Sequence, residues 1–226
     1  MIRLTDISKT YRGGDAETQA LHNLSLNIAD GEFAAVMGPS GCGKSTLLNI
    51  LGLLDVADSG QYLLDGRDVS RLPEREMTTL RRDMIGFVFQ NFQLVDDLSA
   101  ADNIALLLAY RDIPRRQQKE MVDQALEIVG LSHRRNARPA DLSGGQQQRI
   151  AVARAIVGDP RIILADEPTG NLDSRNGDEI MDMLEGLNRK GSTILMVTHS
   201  PSHAARAQRI INMLDGRVVT PEEQEL

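Results

Sequence analysis

Apolar residues come in short runs separated by turns through the first part of the chain. Ile2 and Leu4, and then Leu21 with an alternating Leu24, Leu26 and Ile28, flank Gly13-Gly14 and predict an antiparallel sheet at the front. Phe33-Ala34-Ala35-Val36-Met37 reads as a short buried strand, and an apolar helix is expected from Lys44 to about Leu54. Asp65-Gly66 after Tyr62-Leu63-Leu64 predicts a hairpin turn returning to the front sheet. Ile85-Gly86-Phe87-Val88-Phe89 is a further core strand ending at Gln90. Beyond it the period changes. Between about Ala100 and Gly130 the residues Met121, Val122, Ala125, Leu126 and Val129 fall at helical spacing, and a helical subdomain is expected over roughly 91–157. Ile162 to Ala165 and Thr193 to Thr198 read as buried strands, joined by a helix whose inward residues would be Ile180, Met183, Leu184 and Leu187. Repeated strand–helix alternation predicts an α/β fold with a parallel sheet covered on both faces.

Composition narrows this picture. At 226 residues the chain fits a single domain over 1–226. A net charge of -7 argues against a general nucleic-acid binder, which carries a dominant basic surface. No uninterrupted apolar run approaches the roughly 18 residues of a spanning helix, and Met1-Ile2-Arg3-Leu4-Thr5-Asp6 lacks the pattern of a signal peptide. One cysteine, Cys42, leaves no internal disulfide and fits a reducing compartment. The chain is therefore expected in the cytoplasm, with any membrane association made through a partner. The acidic tail Pro221-Glu222-Glu223-Gln224-Glu225-Leu226 reads as a frayed terminus without a role.

Gly38-Pro39-Ser40-Gly41-Cys42-Gly43-Lys44-Ser45 matches the full P-loop template and stands between a strand and a helix. Its glycines let backbone N–H groups approach phosphates, and the helix N-terminus adds positive potential. Lys44 would neutralise charge on the β and γ phosphates, Ser45 would ligate Mg2+, and Thr46 would make a further phosphate contact. Cys42 reads as a small loop filler. Asp166 closes an apolar strand, which would bring its carboxylate to the sheet edge beside the P-loop to hold Mg2+ through water. Glu167 is then free to act as general base on the attacking water. His199 stands just past Met196-Val197-Thr198. A metal pair with His203, four residues on, is the competing reading, but Ser200-Pro201 reads as a helix N-cap and first turn that leaves His199 outside the helix. His22 and His133 have no supporting constellation. Arg149 and Arg154 read as structural ion-pair partners.

Leu142-Ser143-Gly144-Gly145-Gln146 stands about twenty residues before Ile162-Ile163-Leu164-Ala165-Asp166-Glu167 and well after the P-loop. With these three phrases in order, the sequence resembles the ABC-type ATPases over nearly its whole length. The resemblance implies a RecA-like P-loop NTPase core with an antiparallel β subdomain and an α-helical signalling subdomain. It also implies that Ser143, Gly144, Gly145 and Gln146 of one subunit close on the ATP held by the P-loop of another. Gln90 matches the Q-loop residue, which senses the γ-phosphate and its metal and links them to a transmembrane partner. His199 matches the switch histidine that contacts the γ-phosphate. Tyr11 matches the ring that stacks on adenine, and Asp173 of Asn171-Leu172-Asp173 matches the D-loop residue near the partner's site.

Wider phrases, including Ala165-Asp166-Glu167-Pro168-Thr169-Gly170-Asn171-Leu172-Asp173, look like the MacB, LolD and FtsE group. That group implies an ATP-dependent homodimer that hydrolyses ATP with Mg2+. It would drive a transmembrane permease with a large extracytoplasmic domain, from the cytoplasmic face of the bacterial inner membrane. Force would pass through the surface near Gln90 and residues of about 91–115. Two alternatives stay open: an FtsE-like mechanotransmission ATPase without cargo, and a soluble ABC ATPase acting on DNA or ribosomes. The identity of a cargo is not encoded in these residues.

Overall fold

The computed structural model describes residues 1–13, 16–111 and 113–219. Gly14 of the expected front turn and the acidic tail lie outside the described residues. The front sheet has four strands in the order β2-β1-β4-β5, formed by β1 Ile2–Gly13, β2 Ala16–Ile28, β4 Ser59–Leu64 and β5 Arg67–Asp68, all antiparallel. A second sheet of six strands contains β3 Phe33–Met37, β6 Ile85–Phe89, β7 Ile162–Asp166, β8 Thr193–Val197, β9 Arg209–Leu214 and β10 Arg217–Val219. Its order is β10-β9-β3-β8-β7-β6, parallel except for the β9–β10 pair.

The central strands are apolar except at Thr193 and Asp166 on their ends, because each face of the sheet meets its own core. Phe33 and Ala35 of β3, Ile163 and Ala165 of β7, and Ile194 and Met196 of β8 pack into one cluster with the helices. Ala34 and Val36, Ile162 and Leu164, and Leu195 and Val197 point the other way, into a cluster shared with the front sheet and helix α1 Lys44–Leu51. The helices on the first face are α3 Ala100–Ala105, α4 Arg115–Ile128, α5 Gly144–Ile156 and α6 Ser174–Arg189. Helix α2 Glu74–Met84 packs beside β6, and α7 Pro201–Ala204 follows β8.

Three expectations need correction. The P-loop helix ends at Leu51 with Gly52 as its C-cap, three residues earlier than expected, and Leu53 then takes a left-handed φ of 55°. The apolar residues at 52–54 continue the run but not the helix. The helical spacing over 100–130 belongs to two helices: α3 stops at Ala105, well before Pro114, which starts α4 as its N-cap. On α6, Met181 is fully buried and Met183 only partly, so the inward stripe is Ile180, Met181, Leu184 and Leu187. Helix α2 and strands β9 and β10 were absent from the sequence reading altogether.

Candidate functional site

Because β3, β8, β7 and β6 are parallel, their carboxyl ends lie along one edge, and the chain leaves each of them with a candidate residue. Residues 38–43 leave β3, Gln90 follows β6, Asp166 closes β7, and Thr198 and His199 follow β8. These ends share an open cleft of ≈ 570 Å³, lined by Ser40, Gly41, Gly43, Lys44, Ser45, Thr46, Gln90, Asp166, Glu167 and His199. Tyr11 reaches its rim. Thr18, Ala20, Gly170 and Val197 also line it and were not anticipated. Thr18 and Ala20 come from β2, a pairing partner of Tyr11's strand, and no local pattern marks them.

The phosphate loop is fitted tightly against the front sheet. In the register Lys9↔Leu21 and Thr10↔Gln19, Ala20 is the extra residue of a bulge in β2. Its carbonyl faces Gly43, where a Cβ would lie 2.3 Å from that oxygen, and Gly43 has a φ of 99°. Only glycine satisfies both demands. Lys44 is buried, and its Nζ donates to the carbonyls of Gly38 (2.9 Å) and Pro39 (2.7 Å). Cys42 is also buried; it packs in the apolar cluster beneath the loop, and its Sγ accepts a long hydrogen bond from Lys44 Nζ at 3.7 Å. Gly38, Pro39 and Cys42 shape the turn without lining the cleft.

Glu167 holds the most constrained position. It has a left-handed φ of 47°, which costs a non-glycine residue about 1–3 kcal/mol and persists where the surroundings fix it. Here its N–H donates to the Val197 carbonyl at 2.9 Å. Its Oε2 accepts the His199 N–H at 3.3 Å, and its Oε1 lies 3.4 Å from His199 Nε2. That Oε1 is buried without a hydrogen-bond donor of acceptable geometry. Burial raises the Glu167 pKa, helped by the Asp166 charge and opposed by His199 and Lys44. Burial also raises that of Asp166, against the attraction of Lys44 and His199.

The site is tied together behind the cleft. Gln90 Nε2 donates to Asn171 Oδ1 (3.1 Å), while Asn171 Nδ2 donates to the Gln90 carbonyl (3.2 Å) and to Asn91 Oδ1 (2.8 Å). Fully buried Gln148 donates from Nε2 to the carbonyls of Phe89 (3.2 Å) and Pro168 (2.6 Å), the neighbours of Gln90 and Glu167. A glutamine inside Gln146-Gln147-Gln148 offers no sequence signal for burial, and Gln148 was missed. Arg149 pairs with Glu179, as expected. Among the described residues Arg154 pairs with no carboxylate; it donates to the carbonyls of Phe92 and Gln93, both left-handed residues just after Gln90. His203 does not face His199: its Nδ1 lies 2.9 Å from Thr169 Oγ1.

Ser143, Gly144, Gly145, Gln146 and Asp173 do not line the cleft of their own chain. Ser143 caps α5 in a reciprocal box: its hydroxyl accepts the Gln146 N–H (3.3 Å), and Gln146 Oε1 accepts the Ser143 N–H (3.1 Å). Asp173 caps α6 through the Asn176 N–H (2.9 Å), and Asn176 packs against Gly145. These segments form one small platform elsewhere on the surface.

The residues of the cleft suit a nucleoside triphosphate, and two of them would suit Mg2+. The cleft offers a glycine cradle, one buried lysine, and the hard oxygen donors of Ser45 and Asp166 suited to that cation.

Comparisons with known proteins give the family and the fold. The sequence profile of the ABC transporter family matches residues 21–170. The macrolide export ATP-binding/permease protein MacB 1/2 of Paracoccus denitrificans is 48% identical over 219 residues, covering 97% of this chain and 33% of that protein. The chain thus spans about a third of the length of such relatives. An uncharacterized ABC transporter ATP-binding protein of Methanocaldococcus jannaschii is 48% identical over 219 residues, covering 97% of this chain and 98% of its own. Among solved structures, the ATP-binding cassette MJ0796, a dimer in a post-hydrolysis state bound to ADP and Pi, superposes with a TM-score of 0.90. It is 44% identical and covers 97% of each chain.

Proposed function

The chain belongs to the ABC transporter family as an ATP-hydrolysing cassette, and from that premise we propose that it powers a MacB- or LolD-type permease by ATP-driven head-to-tail pairing with a second copy. The observation that carries this reading is the separation of two half-sites. The phosphate cleft holds the P-loop, Asp166, Glu167, Gln90 and His199, whereas Ser143 to Gln146 lie outside it. A second copy supplies what the first lacks.

In this reading Lys44 leaves the carbonyls of Gly38 and Pro39 and turns to the β and γ phosphates of ATP. Ser45 and Asp166, with Gln90, would hold Mg2+, which would supply positive charge to the phosphate oxygens. Glu167 takes a proton from water as its oxygen attacks the γ-phosphorus, and the bond to the β–γ bridging oxygen breaks to release ADP. The Glu167 carboxylate is the acceptor for that proton, and His199 orients the water and the γ-phosphate. Tyr11 stacks on the base. Asp173 and the capped Ser143 meet the partner's nucleotide.

The membrane partner has a fitting surface. Leu54, Phe87, Leu106, Leu107 and Tyr110 line an apolar groove rimmed by Arg81, Arg82 and Arg154. Tyr110 is 80% exposed and lines this groove, and contiguous exposed apolar surface marks an interaction site. The groove overlaps the 91–115 surface expected from the sequence and adds residues from α2 and β6. No helix among the described residues is long and apolar enough to cross a membrane. The experiment is affinity purification of tagged Glu167→Gln protein from detergent-solubilised bacterial membranes with ATP, followed by mass spectrometry. A polytopic membrane protein is expected, and its extracytoplasmic domain separates exporter from mechanotransmitter. Only soluble, ribosomal or DNA-associated partners would overturn the transporter reading.

A further inference from the structure

Tyr11 is not anchored by the body of the front sheet. The pairing of β1 with β4 stops at Ser8↔Ser59, so from Thr10 onward β1 pairs with β2 alone. Such a two-stranded ribbon is weakly held by itself. Two carboxylates from the segment after α1 compensate. Asp58 Oδ2 accepts the Thr10 N–H at 2.7 Å. Asp55 divides its oxygens: Oδ2 accepts the Tyr11 hydroxyl at 2.9 Å and Oδ1 accepts Lys9 Nζ at 2.6 Å. Lys9 also donates to the Val56 carbonyl at 2.7 Å, and its ammonium lies 5.3 Å from the centroid of the Tyr11 ring.

The arrangement is more than a surface ion pair. The Lys9 side chain is only 12% exposed, so a charge has been taken largely out of water and matched to one carboxylate and one carbonyl. Lys9 and Tyr11 are two residues apart and therefore share a strand face. A cation against one face of a ring draws on its π-density and favours an electron-rich partner on the other face. Tyr11 itself stays 41% exposed at the rim of the cleft. Helix α1 links the two ends of the site: it begins at Lys44 in the phosphate loop, and the segment beyond it carries Asp55.

We propose that Lys9 and Asp55 are positioning residues for the nucleobase, holding the Tyr11 ring by its hydroxyl and one face so that the other face is ready to stack on a purine. The inference rests on Tyr11 being the base contact. Ordering the ring before ATP arrives removes part of the entropic cost of binding. The pair acts only on ligands that carry a base.

The test is calorimetric binding of ATP and of inorganic tripolyphosphate to the wild-type, Tyr11→Ala, Lys9→Met, Lys9→Arg and Asp55→Asn proteins. Thermal melting serves as a check on folding. Lys9→Met and Asp55→Asn are expected to weaken ATP binding about three- to tenfold, the scale of a partly desolvated cation–π contact. Tripolyphosphate affinity should stay within about twofold of wild type in both, and Lys9→Arg should restore most of the ATP affinity. Parallel losses for ATP and tripolyphosphate would reduce the pair to a structural brace and overturn the inference. If Tyr11→Ala weakens ATP selectively while Lys9→Met and Asp55→Asn do not, the inference fails and the Tyr11 assignment stands. If Tyr11→Ala leaves ATP affinity unchanged, both fall.

Discussion

Glu167 shows how a single residue carries opposed demands. Its left-handed backbone is fixed by the Val197 carbonyl, and its buried carboxylate has one oxygen without a donor. Glu167→Gln should lower turnover about 10²- to 10⁴-fold, the span of general-base catalysis, with ATP affinity within about threefold of wild type. Comparable turnover in the two proteins would remove Glu167 from the role. A stability effect follows from the same burial. Since burial raises its pKa, the folded state holds the proton more tightly than the unfolded chain. That contribution is present below the ordinary glutamate value and is lost as pH rises through the raised one. At neutral pH the charged carboxylate therefore works against folding. Partial solvent screening keeps the effect small, and nucleotide-free Glu167→Gln protein should melt about 1–3 °C above wild type at pH 7.5. The gap should close as pH falls towards 4. A variant melting below wild type at pH 7.5 would contradict the account.

At the scale of elements, the apolar groove between the α2–β6 side and the Leu106–Tyr110 segment is the clearest unpaid exposure on the surface. Replacing Leu107 by Asp together with Tyr110 by Ala should cut recovery of the membrane partner about tenfold or more, since few buried anchors dominate an interface. Basal ATP turnover should stay within about twofold, because neither side chain reaches the cleft. Full partner recovery would place the contact elsewhere. The elements also explain what the sequence could reveal. β3, β7 and β8 are short apolar runs buried on both faces, so they and the residues at their ends, Lys44, Asp166, Glu167 and His199, were readable from pattern and spacing. Helix α2 was hidden by its charge: Glu74-Arg75-Glu76 and Arg81-Arg82-Asp83 leave Met77 as its one buried residue. Strand β9 carries apolar Ile210 and Leu214 at exposed positions, so its sequence shows no alternation, and β10 barely exceeds a turn. The contributions of Thr18, Ala20 and Gln148 depend on long-range pairing, which no local spacing records.

Over the whole molecule, the two layers on either side of the central sheet put nucleotide chemistry at one edge and the capped ends of α5 and α6 elsewhere. Asn176 and Gly145 join those capped ends into one surface, while Gln148 links α5 to the strand ends that bear Gln90 and Glu167. Under the proposed function, a nucleotide bound in the cleft would be sensed at the Ser143–Gln146 platform within one chain and completed by the platform of another. The most direct test is the solution mass of Glu167→Gln protein, measured by light scattering with Mg-ATP, with Mg-ADP and without nucleotide, beside the double variant Glu167→Gln with Ser143→Arg. The account predicts a dimer with Mg-ATP alone, and a monomer in every condition once Ser143 is replaced. A Glu167→Gln protein that stays monomeric at saturating Mg-ATP, or a dimer indifferent to Ser143→Arg, would contradict it.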